Sequence, residues 1–163
     1  MSEKIQIRIR RQSGYSLIEL LLVVTIVAAL AAIALPSYRD NVLRSNRSVA
    51  QAGLMELVNR QTHFHLNNKT YTADLNNLGY PAGRVFGLNG KSVIVLDDQL
   101  SPVDSSDTSR IYLIQIDSAA TNTLTASAIP QQFQANDIEC GTFSIDQTGA
   151  QTISGTGTIA DCW

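Results

Sequence analysis

The chain has 163 residues, 44% of them hydrophobic and 16% charged, and a formal net charge of -2, which gives room for one ordinary domain plus a terminal segment. Residues 1 to 13 hold Lys4, Arg8, Arg10 and Arg11 against Glu3, so 8 bases face 13 acids in the remainder. Past Arg110 there is no Lys or Arg, which excludes a phosphate-binding footprint for nucleic acid in that third of the chain.

Behind the basic leader, Leu20 to Leu35 is an apolar run of about 16 residues, sufficient for a marginal membrane helix once Tyr15 to Leu17 and the Tyr38 interface are added. The positive-inside rule keeps the leader cytoplasmic and sends the rest outward. Glu19 sits at the very start of this run, and an acid in that setting costs about 2.5 to 3.5 kcal/mol on insertion scales, which marks it as a functional candidate. Pro36 lacks a backbone donor and crowds the carbonyl of Ala32, so a bend or break is expected there. Two processing routes compete. A secretory signal would be cut after the Ala32 to Ala34 stretch, an A-x-A site, but leaves Glu19 unexplained. A cut at Gly14 keeps the apolar helix and puts the new amine of Tyr15 about one turn from Glu19.

After Pro36 the spacing turns helical. Leu43, Ala50, Leu54, Leu57, Val58, Gln61 and Phe64 form a stripe, with Arg39, Asp40, Arg44, Arg47 and Arg60 mostly off it. Helix is predicted to about Leu66, weakened but not ended by Gly53. Arg39, Arg44 and Arg47 are expected either to solvate that flank or to pair with acids of a neighbouring subunit. Residues 67–83 are dense in Asn, Gly and Pro and predict a loop with one helical turn. Strands are predicted over 92–96, 110–117, 122–129, 141–146 and 150–154. In the second of these, Ile111, Leu113 and Gln115 oppose Tyr112, Ile114 and Ile116, and both faces are partly apolar, as in a central strand. One long helix followed by short strands reads as an α+β fold, an antiparallel sheet laid on the helical stripe. Cys140 and Cys162 are the two cysteines of a chain read as exported, which suggests a disulfide; its loop of roughly 23 residues would contribute about 3 kcal/mol.

The segment SGYSLIELLLVVTIVAALAAIALPSY resembles the N-terminus of type IV prepilins, whose short basic leader is removed after glycine by a dedicated prepilin peptidase that also methylates the new first residue. The resemblance implies that Gly14 precedes the cut, Tyr15 is the methylated N-terminus, Glu19 is the family's acid near the start of the mature chain, and Pro36 is its helix-breaking proline. Tyr15 stands where phenylalanine is usual and Ser16 where threonine is usual. Tyr38 to Tyr80, with its Arg-Ser pair, Gln-aromatic stretch and YT-DL--LGY loop, is similar to minor pilins of the PilE type. The cysteine pair also resembles the pilin disulfide loop.

The implied organisation is a leader over 1–14, a transmembrane and assembly helix over 15–37, and a periplasmic pilin domain over 38–163. The implied site is anchored first in bacterial inner-membrane lipid and later in an extracellular pilus. Its implied partners are the prepilin peptidase, other major and minor pilins, and an inner-membrane assembly platform; no cofactor is expected. A carboxylate buried among apolar helices is tolerable beside a positive partner, and the terminal amine of a neighbouring subunit fits that part, making Glu19 a registry device. Such subunits help to initiate a type IV pilus or to link its tip complex to the major pilin, in support of twitching, adhesion or DNA uptake. The alternatives are a pseudopilin of type II secretion and, from another class, a membrane-tethered periplasmic binding or sensor module.

Other constellations carry less. His63 and His65, two apart, point to different sides of a helix and cannot share a metal by that spacing. Asp97, Asp98, Asp104 and Asp107 could supply calcium ligands, but their spacing is not that of an EF-hand and reads as a solvated loop. Asn46 and Asn68 match the N-glycosylation pattern, which carries almost no weight in a bacterial chain. No nucleophile-base-acid set, phosphate-cradling glycine loop or zinc spacing occurs, so no enzyme is expected.

Overall fold

In a computed structural model, residues 15–163 are described; Gly14 and the rest of the basic leader lie outside them. The chain divides into two compact units, one ending at Arg39 and the other running from Asp40 to Trp163.

In the first unit the described residues belong almost wholly to helix α1, Leu17–Asn68, whose 52 residues match the expected length. The leucines and alanines of the apolar run favour helix, since they lose little side-chain freedom in it, and they carry the β-branched stretch from Val23 to Val27 with them. Thr25 and Ser37 hydroxyls donate back to the carbonyls of Leu21 and Ile33, a bond compatible with continued helix. The expectation of a helix break at Pro36 is corrected: Pro36 lies inside α1 and the helix does not end there. Proline costs one backbone bond and crowds one carbonyl, and the long helical stretches on either side outweigh a local penalty of about 3 kcal/mol. Every residue from Tyr15 to Leu30 is exposed.

In the second unit the same helix buries Val49, Ala50, Gly53, Leu54, Leu57 and Gln61. A 3-10 turn, Leu75–Leu78, occupies the predicted loop; Asp74 caps its start and accepts from the Asn76 N–H. The strands are β1 Phe86–Leu88, β2 Lys91–Leu96, β3 Pro102–Val103, β4 Tyr112–Ala119, β5 Leu124–Pro130, β6 Phe143–Asp146 and β7 Gln151–Ile153, with a short helix α2, Ile159–Cys162, at the end. All pairings are antiparallel, in the order β1-β2-β4-β5-β6-β7, with β3 also on the β2 edge.

Alternation decides which side chains meet the helix. Ile94 and Leu96 of β2, Tyr112, Ile114 and Ile116 of β4, Leu124, Ala126 and Ala128 of β5, and Phe143 and Ile145 of β6 join the helical stripe in one core. The opposite face carries a smaller cluster of Val93, Val95 and Leu113. The two apolar faces expected of β4 are therefore both used. Gly53 is a close approach of helix to sheet: a Cβ there would stand 2.7 Å from Leu96 Cδ1, so a position that weakens the helix is what lets it settle on β2.

Candidate assembly surface and disulfide-bounded region

Two features of the sequence-predicted site fall in the described residues as separate regions. Tyr15 is 85% exposed, and Leu17, Ile18, Leu20 to Val24, Ile26, Val27, Leu30, Ile33 and Leu35 are all exposed apolar side chains. An apolar surface of that extent needs lipid or another protein to cover it. Glu19 lies exposed in the first turn of α1, where the unpaired N–H groups and the helix dipole favour a negative charge. An apolar helix, an acid near its head and an aromatic at its start thus stand together on one exposed segment.

The second region is built around the disulfide. Cys140 and Cys162 are joined, with Cα atoms 5.6 Å apart. Residues 154–157 run beside 138–142: the N–H groups of Ser154, Gly155, Thr156 and Gly157 donate to the carbonyls of Thr142, Cys140, Ile138 and Glu139. The approach is so close that a Cβ on Gly155 would collide with the Glu139 carbonyl. Thr158 then caps α2 by accepting from the Asp161 N–H, and Trp163 packs edge-on against Phe143 with ring centroids 5.4 Å apart.

Helix α1 holds this region through Arg47. Its Nε and Nη2 donate to the two carboxylate oxygens of Asp137 at 2.8 and 2.9 Å, Nη2 also reaches Glu139 at 2.6 Å, and Nη1 reaches the Asp161 carbonyl at 3.4 Å. The Arg47 and Asp137 side chains are 8% and 1% exposed. The bond to Asp137, against the opposing cost of burial, pushes the guanidinium further above its ordinary range, so it stays charged wherever the fold survives. Asp137 also accepts from Gln134 Nε2 and the Cys140 N–H, both at 3.3 Å. Gln134 in turn donates to the Leu43 carbonyl and the Tyr112 hydroxyl and accepts from Asn46. Gln51 donates to the Cys162 carbonyl at 2.8 Å. A buried pair this well satisfied fixes one geometry, since removal of either partner strands a charge.

Here the reading of Arg47 as a solvated or intersubunit charge is corrected: it is buried and paired within its own chain, whereas Arg44 is exposed. The signal was available. Leu43, Arg47, Ala50, Leu54, Leu57 and Gln61 recur at alternating steps of four and three, so Arg47 lies on the stripe and needs an acid facing it. What the sequence does not reveal is that a residue 90 positions away supplies it.

Arg60 does similar work at the other end of the helix. It is held by Glu56 at 2.7 Å, donates to the carbonyls of Leu78 and Gly79, and lies over the Tyr80 ring at 4.4 Å. Gln61 pairs with the backbone of Thr72 in both directions. The loop that follows helix α1 is thus tied back to it.

The remaining candidates separate. His63 is exposed, while His65 meets the Thr121 carbonyl at 2.9 Å and stacks on Tyr71. Asp97 accepts from the N–H groups of Gln99 and Ser101, Asp107 from Ser109, and Asp104 pairs with Arg84. Asp97 and Asp107 organise their own turns and Asp104 is held by Arg84, so these acids do not converge as a calcium loop would. Among the described residues, Asp137, Glu139 and Cys140 come close enough to suggest a metal, but Arg47 occupies the carboxylates and the sulfur is in the disulfide.

Residues 36–144 match the family model for the type IV minor pilin ComP, DNA uptake sequence receptor, and residues 9–35 match the prokaryotic N-terminal methylation motif. The chain is 36% identical over 74 residues to the type IV major pilin protein PilA of Myxococcus xanthus, covering 45% of this chain and 34% of that protein. It is 37% identical over 65 residues to the type IV wide pilus major component PilA4 of Thermus thermophilus, covering 40% and 50%. Against the fimbrial protein EcpC of Eikenella corrodens the identity is 56% over 39 residues, 24% of this chain and 26% of that one. The matched stretches span half or less of these relatives.

Proposed function

Given that the chain belongs to the family of the type IV minor pilin ComP, we propose that it is a minor pilin: a structural, non-catalytic subunit that helps to initiate a type IV pilus or to connect its parts. In this reading prepilin peptidase cuts after Gly14 and methylates Tyr15. The helix holds the subunit in the inner membrane with its globular unit in the periplasm, until an assembly platform and other pilins draw it into the fibre. The observation that carries this is the exposed apolar face from Leu17 to Leu35 with Glu19 in its first turn, inside a segment that matches the methylation motif.

Mechanism here is polymerisation. Apolar burial between helices supplies the packing at roughly 25 cal/mol per Å². Glu19 sets the register by meeting the Tyr15 amine of a neighbour, which relieves the cost of its own burial. Gly14→Ala blocks leader removal. Glu19→Ala permits insertion but lowers incorporation into sheared fibres, and unchanged incorporation would refute the registry role.

The family description favours a second reading, a receptor for DNA. The charges from Arg84 onward argue against it. Arg84 and Lys91 are paired with Asp104 and Asp117, Arg110 is turned onto the carbonyls of Ser105 and Asp107, and no base follows it. Binding of duplex DNA that weakens steeply with salt would establish the receptor reading instead. A pseudopilin is favoured by calcium held at the Asp97 to Asp107 loop, and a tethered sensor by a leader that is never removed.

A further inference from the structure

The hairpin joining β1 to β2 turns on two residues, Asn89 and Gly90, which form the one Asn-Gly pair in the chain. Leu88 pairs with Lys91 across it, and both turn residues have positive φ, 51° and 76°, as a two-residue hairpin of the primed type requires. Both are exposed. Among the described residues the side-chain amides of Asn46, Asn67, Asn68, Asn76, Asn77 and Asn136 are all engaged; that of Asn89 makes no hydrogen bond, and of the asparagines that share this, Asn41, Asn59 and Asn122, none precedes glycine.

We propose that Asn89 is a site of spontaneous modification, converted to aspartate and isoaspartate on the folded surface. The Gly90 backbone nitrogen attacks Asn89 Cγ. A new C–N bond closes a five-membered cyclic imide, the Gly90 nitrogen gives up its proton, and the side-chain nitrogen leaves as ammonia. Water then adds to either imide carbonyl, leaving an ordinary aspartyl residue or an isoaspartyl link through the former side chain. No oxidant, reductant or enzyme is needed, because the leaving group and the water complete the balance.

Two features make this residue the candidate. Glycine at the following position leaves the attacking nitrogen unshielded and accepts the change in its own φ when the central peptide flips; the steric cost of the flip falls on Asn89, which takes the first central position that glycine usually holds in the flipped turn. The flip carries Asn89 from the primed type I to the primed type II turn, whose first central residue keeps positive φ with ψ near about -120°. That ψ brings the Gly90 nitrogen round to the side-chain carbon, and because both turns serve two-residue hairpins, the β1 and β2 register need not be lost to reach it.

The products differ in consequence. The aspartyl form changes the formal net charge from -2 to -3, and its carboxylate stands two residues from Lys91, whose Nζ is bonded to Asp117 at 2.6 Å. Isoaspartate adds a carbon to the backbone of a turn that has no spare length, so it loosens β1 from the sheet edge. A long-lived surface fibre would accumulate both forms, and the hairpin would become more acidic and more mobile with age.

Trypsin releases the tip as Val85 to Lys91, bounded by Arg84 and Lys91. The full chain in detergent is held at neutral pH in ¹⁸O-labelled water and digested at intervals, and the peptide is resolved into Asn, Asp and isoAsp forms. The proposal expects steady loss of the Asn form, isoAsp in excess over Asp, one labelled oxygen in each product, and little change at Asn76 or Asn122 over the same period. A peptide that stays unmodified in the folded chain while the urea-unfolded chain converts would overturn it, by showing that the hairpin protects the site. Conversion at the other asparagines at the same pace would overturn it as well.

Discussion

Replacement of Arg47 by Met keeps most of the buried stem and removes the charge, which isolates the electrostatic contribution of the clamp. Asp137, 3% exposed, would retain only the Gln134 and Cys140 donors at 3.3 Å in place of two bonds at 2.8 and 2.9 Å. Stranding one member of a buried pair costs about 3 to 5 kcal/mol. The unit from Asp40 to Trp163 has 124 residues, 163 less the 39 before it, a size at which each kcal/mol moves the melting temperature by about 4 °C, so the fall is roughly 12 to 20 °C. Trp163 is the single tryptophan and packs on Phe143 beside the clamp, so its fluorescence in the detergent-solubilised full chain follows the transition. Adding Asp137→Asn to Arg47→Met removes the stranded charge and recovers part of the loss. A fall below about 1 kcal/mol in Arg47→Met, or a double variant as unstable as the sum of the singles, would refute the reasoning.

The Tyr80 hydroxyl is buried without a hydrogen-bond partner, so Tyr80→Phe leaves the melting temperature unchanged or slightly raised, since an unmade buried bond costs about 1 to 3 kcal/mol; a loss of more than about 1 kcal/mol would reveal a partner. Cys162→Ser opens the disulfide loop and costs about 3 kcal/mol in the chain-entropy model, read from the same melt against the oxidised wild type, with the reduced wild type melting alongside the variant; a melting temperature equal to that of the oxidised wild type would contradict it. Thr148, ahead of the Ala150 N–H, holds the Asp146 carboxyl below the usual carboxylate range. A depressed folded-state value stabilises above the unfolded value, about 3.9, and that contribution is lost as pH falls below it. Exchange at the Thr148 and Ala150 amides therefore accelerates in acid in the wild type, beyond the intrinsic pH dependence, and this extra acceleration is absent in Asp146→Asn.

Long periodicities were legible in the sequence and short or distant pairings were not. The apolar run and the four-three stripe fix helix α1 to within two residues at Asn68, and β2, β4, β5, β6 and β7 fall within their predicted spans give or take a residue or two. Strands β1 and β3 have three and two residues, too short for alternation to register; Pro102 reads as a strand breaker and is admitted because β3 lies on the edge. Helix α2 has a single turn and owes its place to the disulfide and the Thr158 cap. At Pro36 the break does not occur, because long helical stretches on either side carry helix α1 through the proline. Arg47 shows the opposite failure: a charge on an apolar stripe was read as solvated because its acid lies near the other end of the chain. The acids from Asp97 to Asp107 were legible as a loop, and their turn-capping bonds give the reason.

The central claim, that the apolar helix is retained and opens on a processed residue, is tested most directly by intact mass and N-terminal sequencing of the membrane-isolated protein, with and without prepilin peptidase. A start at N-methylated Tyr15 that depends on the peptidase is the result expected. A start at Leu35, or an uncut leader in the presence of the peptidase, would contradict it and take the proposed role of Glu19 with it.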